Sequence, residues 1–371
     1  MSERINKRLA ELLEKRKSDE LFRKLTTFNG GVDFSSNDYL GLARSKKLHQ
    51  LTTGYLERLT IKNGSTGSRL LTGNSPFAEE IEEEITRFYG AESTLLFNSG
   101  YAANMAIFST LPQKSDVLFY DEYCHASIRE GIRLSAAKTQ KFKHNDLNDL
   151  LRRVKREQGN VMVSTETVFS MDGDSPDMEK LFQLKSENDF YLFLDEAHSA
   201  GLLHQDNSKA DVRLITFGKA FGIHGAAVLC SKLVRDYLIN FSRPLIYTTS
   251  LSPHSLAAIK AAFSLMPELD EERKKVQKLK NQFQEGLGSE LKNRIISGPG
   301  AICTLIWPGN SEVTAASEFL KTKNLDVRAV KSPTVKTGSE RLRICFHTFN
   351  TPQEVNLLIE SIKELCQNTI S

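Results

Sequence analysis

Phe190-Tyr191-Leu192-Phe193-Leu194-Asp195-Glu196-Ala197-His198, followed by Val212-Arg213-Leu214-Ile215-Thr216-Phe217-Gly218-Lys219-Ala220-Phe221-Gly222, decides how the rest of the chain is read. The run 190–194 is continuously apolar and rich in aromatics, as a parallel strand covered on both faces must be. Asp195 falls at its carboxyl end, the rim where open α/β sheets bind ligands. Residues 212–217 predict a second strand, which delivers Lys219 into a glycine-flanked turn. An amine there forms a Schiff base when burial and nearby positive charge bring its pKa toward neutrality. A carboxylate at Asp195 suits the ring nitrogen of a pyridine cofactor, whose protonated ring draws electrons from a substrate carbanion. Each piece alone has another reading: Asp-x-x-His after a strand fits a metal half-site or a helix cap, and a lysine between glycines fits a solvated turn. Together they predict a pyridoxal phosphate site, with no metal.

Around this centre the chain alternates strand and helix. Residues 76–88 repeat Phe77, Ile81 and Ile85 on one helical face. Strands are expected at 94–97, 117–120, 161–165 and 225–230, with a helix carrying Leu147, Leu150, Leu151 and Val154 between two of them. That order gives a doubly wound α/β sheet with a mainly parallel core. Residues 254–291 read as helix broken near Pro267, and strands at 302–307, 325–330 and 342–346 follow. Thr351, Pro352 and Glu354 spell a capping box with proline at the first helical position. The predicted division is an N-terminal helix and extended segment at 1–45, a large cofactor-binding domain at 46–268 and a small α+β domain at 269–371.

Three sites around the centre invite chemistry. Asn98-Ser99-Gly100-Tyr101 lies between a strand and a helix, so free N–H groups and the Ser99 hydroxyl suit a phosphate, or Ser99 serves only as a cap. His125, just past a strand, fits either a capping residue or an imidazole stacked on the pyridine ring. Arg341 and Arg343 alternate with apolar residues; one guanidinium beside the cofactor would grip an amino-acid carboxylate bidentately, or both are exposed strand residues. Gly64 to Asn74 is a glycine- and hydroxyl-rich loop without either nucleotide-binding glycine spacing.

Composition limits the alternatives. A net charge of +3, with 49 basic and 46 acidic residues interspersed, leaves no stripe for nucleic acid and no polybasic membrane patch. The scattered, odd set Cys124, Cys230, Cys303, Cys345 and Cys366 predicts reduced thiols and a cytoplasmic protein. No apolar leader or membrane span is expected. Residues 5–17 place Ile5, Leu9, Leu12 and Leu13 on one face of a basic helix, expected to pack on the rest of the protein or on a second subunit; a membrane-surface helix is the other reading.

Ten short blocks in one order resemble the α-oxoamine synthases, fold-type-I pyridoxal phosphate enzymes of aspartate aminotransferase-like architecture: SNDYLGLA (36–43), GSTGSRLLTGN (64–74), FNSGYAAN (97–104), the His125 segment, ETVFSMDGD (166–174), DEAHSAG (195–201), TFGKAFG (216–222), YTTS (247–250), SPTV (332–335) and RLR (341–343). The resemblance implies that Lys219 is the Schiff-base lysine, Asp195 the ring-nitrogen partner, His198 the hydrogen-bond partner of the ring oxygen and His125 the stacking ring. It implies cofactor contacts at Ser99, Gly100, Tyr101, Glu166, Ser170 and Thr216. Thr248 and Thr249 would reach the cofactor phosphate of a neighbouring subunit, hence a homodimer with shared active sites. Asn37, Arg23, Thr334 and Arg343 fall at substrate-contact positions. The expected reaction joins an amino acid to an acyl-CoA or acyl-carrier thioester with loss of carbon dioxide. The SRLLTG wording at 68–73 favours the biotin-forming subgroup, which uses L-alanine and a pimeloyl thioester, over glycine C-acetyltransferases and serine palmitoyltransferases. An aminotransferase would share Asp195 and Lys219 but lack the FSMDGD and SPTV blocks. Ala78 replaces a histidine common in the family, Lys331 an arginine, and the stretch between Arg23 and Phe34 omits most of a usual hairpin; these bear on the acyl donor.

Overall fold

The computed structural model describes residues 2–19, 21–25, 27, 30–59 and 62–370. Part of the shortened stretch between Arg23 and Phe34 lies outside the described residues. The strands in chain order begin with β1 (Val32–Asp33), β2 (Ser93–Phe97), β3 (Val117–Asp121), β4 (Lys138–Phe142), β5 (Val161–Glu166), β6 (Tyr191–Asp195), β7 (Val212–Thr216) and β8 (Ala226–Cys230). All but β1 join a seven-stranded sheet in the order β2-β8-β7-β6-β5-β3-β4. Only β8 opposes its neighbours there; the remaining pairs are parallel. The sheet is thus mainly parallel, as expected, and Asp195 and Thr216 end adjacent strands on one rim.

Alternation along the strands feeds two apolar layers. On β7, Val212 and Leu214 pack in one cluster with the helix Gly100–Thr110, while Ile215 packs in another with the helix Pro253–Leu265. Ser75 caps the helix Pro76–Tyr89 by accepting from Ala78 N, and Gly90 closes it with φ 61°, the left-handed conformation that glycine adopts without penalty. The long helical stretch breaks where Pro267 sits in the 3₁₀ turn Met266–Glu268, between Pro253–Leu265 and Asp270–Gly286.

The remaining strands are β9 (Ile295–Ser297), β10 (Ile302–Ile306), β11 (Leu325–Asp326), β12 (Arg328–Val330) and β13 (Arg341–Cys345). A four-stranded antiparallel sheet runs β12-β13-β10-β9. The single strand expected over 325–330 is split because two partners claim its halves: β12 pairs with β13, and β11 pairs in parallel with β1. Phe34 O also accepts from Cys345 N at 2.8 Å. Residues 32–34 are therefore stitched to the end of the chain, and the segment that follows is led back toward the rim of the large sheet. The capping box forms as read: Glu354 N donates to Thr351 Oγ1 at 3.2 Å and Thr351 N donates to Glu354 Oε2 at 2.7 Å. One apolar cluster runs from Phe217 and Phe263 through Phe283 to Phe346 and Ile362.

The helix Ser2–Ser18 leaves Ile5, Leu9, Leu12 and Leu13 about half exposed in the single chain. No helix among the described residues is long and apolar enough to cross a membrane.

Candidate active site

Strand ends β5, β6 and β7 and the start of the helix Gly100–Thr110 open onto one cleft. Asn37, Ser99, Gly100, Tyr101, His125, Glu166, Asp195, His198, Thr216 and Lys219 line it, joined by Asn104, Ser127, Ala197 and His224. Asp195 is held from two sides. Its Oδ2 accepts from Asn104 Nδ2 at 2.8 Å and its Oδ1 from Ala197 N at 2.9 Å. A buried carboxylate with both oxygens oriented by fixed donors is preorganised to face a cation. Lys219 Nζ stands 2.8 Å from His198 Nε2, and His198 Nδ1 stands 2.7 Å from the Tyr39 hydroxyl.

Burial dominates the electrostatics. It brings Lys219 down to about 8, assisted by Arg343 and opposed by Asp195 and Glu166. Burial, Lys219 and Arg343 together drive His198 well below the usual histidine range, so its ring is neutral. Burial also lowers His125, and burial beside Asp195 pushes the Glu166 carboxyl well above the usual range. The cleft holds one reactive amine, one oriented carboxylate and two neutral imidazoles.

Ser99 and His125 each form the cap that is one of their two readings, and each also lines the cleft. Ser99 caps its helix by accepting from Ala102 N, and His125 Nδ1 accepts from Ser127 N. His125 is further fixed by its backbone N–H, which donates to Glu166 Oε1 at 2.6 Å. Arg341 and Arg343 are both buried, which removes the exposed-strand reading. Arg341 pairs with Asp172. Arg343 Nη2 donates to Asn37 Oδ1 at 3.0 Å and Nε to Ser170 O at 2.6 Å, placing the guanidinium directly behind the cleft wall.

Other expected site residues sit apart from the lining. Ser170 meets Arg343 through its carbonyl; Arg23 and Thr334 are exposed. Thr248 and Thr249 touch Asn98, whose Nδ2 lies 3.4 Å from Thr248 Oγ1 and 2.7 Å from Thr249 O. Ala78 and Thr248 line a separate small apolar recess with Leu251 and Leu256. Sequence reasoning assigned no role to Tyr39, Asn104 or Ser127. Asn104 was within reach of it: Gly100 and Asn104 are four apart on one helix and so share the face that meets the strand ends.

The residues fit pyridoxal phosphate. Thr216 Oγ1 is buried at the cleft with no hydrogen-bond partner among the described residues. A Cβ on Gly100 would come within 2.3 Å of Thr216 Cγ2, so only glycine lets the helix start close up to the strand end. The first turn of that helix presents N–H groups with no intrahelical acceptor, suited to a phosphate.

Residues 29–362 match the family model described as aminotransferase class I and II. The 8-amino-7-oxononanoate synthase of Emericella nidulans is 38% identical over 387 residues, spanning 95% of this chain and 94% of that one. The chain belongs to this aminotransferase family, in its α-oxoamine synthase branch. The corresponding synthase of Photobacterium profundum is 35% identical, with 98% and 97% covered. Among solved structures of the branch, the 8-amino-7-oxononanoate synthase of Francisella tularensis superposes with a TM-score of 0.78 at 27% identity, over 93% of this chain and 100% of that one. The serine palmitoyltransferase of S. paucimobilis, solved with a PLP–myriocin aldimine, reaches 0.88 at 22% identity over 97% of each chain, a likeness of fold.

Proposed function

We propose that this protein is a pyridoxal 5′-phosphate-dependent acyltransferase that condenses L-alanine with a pimeloyl thioester, giving 8-amino-7-oxononanoate, free CoA and carbon dioxide in biotin biosynthesis. The observation that carries the chemistry is the part-buried Lys219 amine sharing one cleft with the oriented Asp195 carboxylate. The L-alanine and pimeloyl assignment follows the curated relatives named for this reaction.

When bound, the cofactor supplies an electron sink that lets the α-carbon of an amino acid carry negative charge. Asp195 would hold the proton on its ring nitrogen, His125 would lie against its face, and Ser99, Gly100, Tyr101 and Thr216 would receive its phosphate end. Lys219 anchors it, then as a free amine takes the α-proton and returns it. At a pKa of about 8, roughly a tenth of that amine is neutral at pH 7, enough for a base that must also be reprotonated. Arg343, reached through Asn37, supplies the cation for the substrate carboxylate.

A homodimer with shared sites belongs to the same proposal. It is supported by the exposed apolar face of the helix Ser2–Ser18, by Leu71 and Tyr247 at 81% and 78% exposure, and by Thr248 and Thr249 standing outside this chain's own cleft. Cys124, Cys230, Cys303 and Cys345 are buried as free thiols, which supports a reducing, cytoplasmic setting. Purified protein supplied with L-alanine and pimeloyl-CoA should release thiol and carbon dioxide. Glycine turning over far better than alanine would remove the biotin assignment and leave the acyltransferase class standing.

A further inference from the structure

Tyr39 is fully buried. Its hydroxyl stands 2.7 Å from His198 Nδ1 and 3.1 Å from Asn37 Oδ1. The Arg343 guanidinium lies beside the same hydroxyl and also donates to Asn37 Oδ1. With His198 Nε2 at 2.8 Å from Lys219 Nζ, four side chains make one buried line from a guanidinium to the reactive amine.

The direction of the protons along that line follows from what each group can donate. A guanidinium only donates, so beside the Tyr39 hydroxyl it faces the oxygen's lone pairs and leaves the phenol proton to be given to an acceptor. Two acceptors are in reach. Asn37 Oδ1 already receives an Arg343 N–H and is the farther; the imidazole nitrogen is nearer and more basic. We propose that Tyr39 is a positioning residue that fixes the tautomer of His198: the phenol donates to Nδ1, the ring proton sits on Nε2, and His198 faces Lys219 as a hydrogen-bond donor.

A donor there suits Lys219 only as the free amine, because an ammonium has no lone pair to offer. Both groups are tuned for that state. Burial, Lys219, Arg343 and His125 hold His198 neutral, and burial with Arg343 lowers Lys219 against the pull of Asp195, Glu166 and Cys345. Burial keeps the Tyr39 phenol protonated. The line therefore steers Lys219 toward the base form, the form that adds to an aldehyde.

This inference rests on reading the cleft as the cofactor site, and its test separates the two. Full-length protein freed of cofactor with hydroxylamine and labelled with nitrogen-15 histidine reports which ring nitrogen carries the proton. His198 is recognised by the signals lost in His198→Gln. Wild type should show a bare Nδ1 and a protonated Nε2, and Tyr39→Phe should mix or reverse them. The rate at which the same proteins take up pyridoxal phosphate, followed by absorbance between about pH 6 and 9, should shift about one pH unit upward in Tyr39→Phe, about tenfold slower at neutral pH. A wild-type proton on Nδ1, or an unchanged spectrum or uptake curve in Tyr39→Phe, overturns the proposal. If Tyr39→Phe does not fold, the wild-type spectrum decides alone. Failure of wild type to take up pyridoxal phosphate would sink the cofactor reading, while the nitrogen-15 spectrum would still answer for the tautomer.

Discussion

On the proposed function Lys219 works as a free amine, and its surroundings set when that form is available. Because burial lowers it to about 8, the rate of the alanine reaction should climb as pH rises toward 8 and then level, a limb to be read from kcat across pH, since the amine is free only once substrate is bound. Lys219→Ala should lose measurable turnover and still retain cofactor absorbance after desalting, since the phosphate and ring contacts are made by other residues. The residues proposed to carry bond-making were legible because Asp195 closes the apolar run of β6 and Lys219 follows the end of β7 by three residues in a glycine-flanked turn. Those that orient them were not. Tyr39, Asn104 and Ser127 act through contacts with partners such as His198 and Asp195, 159 and 91 positions away for the first two, and spacing along a chain carries no record of such meetings.

At the scale of elements, strands buried on both sides announced themselves and peripheral ones did not. β4, Lys138-Thr139-Gln140-Lys141-Phe142, lies at the sheet edge with only Phe142 buried; an edge strand tolerates polar residues and even uses them to discourage unwanted pairing. β1 is two residues long and exists only because β11 meets it. Two elements give stability predictions. Thr351→Ala removes one arm of the capping box and should cost about 1 kcal/mol in denaturant unfolding. His144 bridges the end of β3 to the loop after β5, 2.9 Å from both Asp121 Oδ1 and Asp174 Oδ2, with its ring stacked on Tyr123. Burial alone would lower its pKa, but these carboxylates outweigh burial and push it up to about 9. A histidine raised in the folded state stabilises fully below its unfolded value near 6.5 and loses that contribution as pH climbs through 9. Urea unfolding at pH 6 and pH 10 should therefore show a loss in wild type that is smaller in His144→Gln.

For the whole molecule, the architecture was readable from the alternation of strand and helix, and the family from its ordered motifs. The way the two ends of the chain combine was not, because β1 and β11 carry too few residues to signal each other. We place a division of the chain at the Met266–Glu268 turn, although apolar packing continues across it from Phe263 to Phe283 and Phe346. Phe346→Ala, in a fully buried position of that shared cluster, should cost about 3–5 kcal/mol, measured as a fall in the unfolding midpoint. Light-scattering mass in solution should give twice the chain mass of 41.7 kDa; a stable, active single chain would argue against shared sites.

The pairing of β1 with β11, and of Phe34 with Cys345, also constrains the order of events during biosynthesis. Residues 32–34 leave the ribosome long before their partners near 325 and 345 have been translated, so the ladder that anchors them cannot close on a growing chain. With that ladder open, nothing in the pairing would hold Asn37 at the cleft or Tyr39 against His198. An unfinished polypeptide, however well its seven-stranded sheet has formed, would remain catalytically silent until Leu325 and Cys345 have emerged.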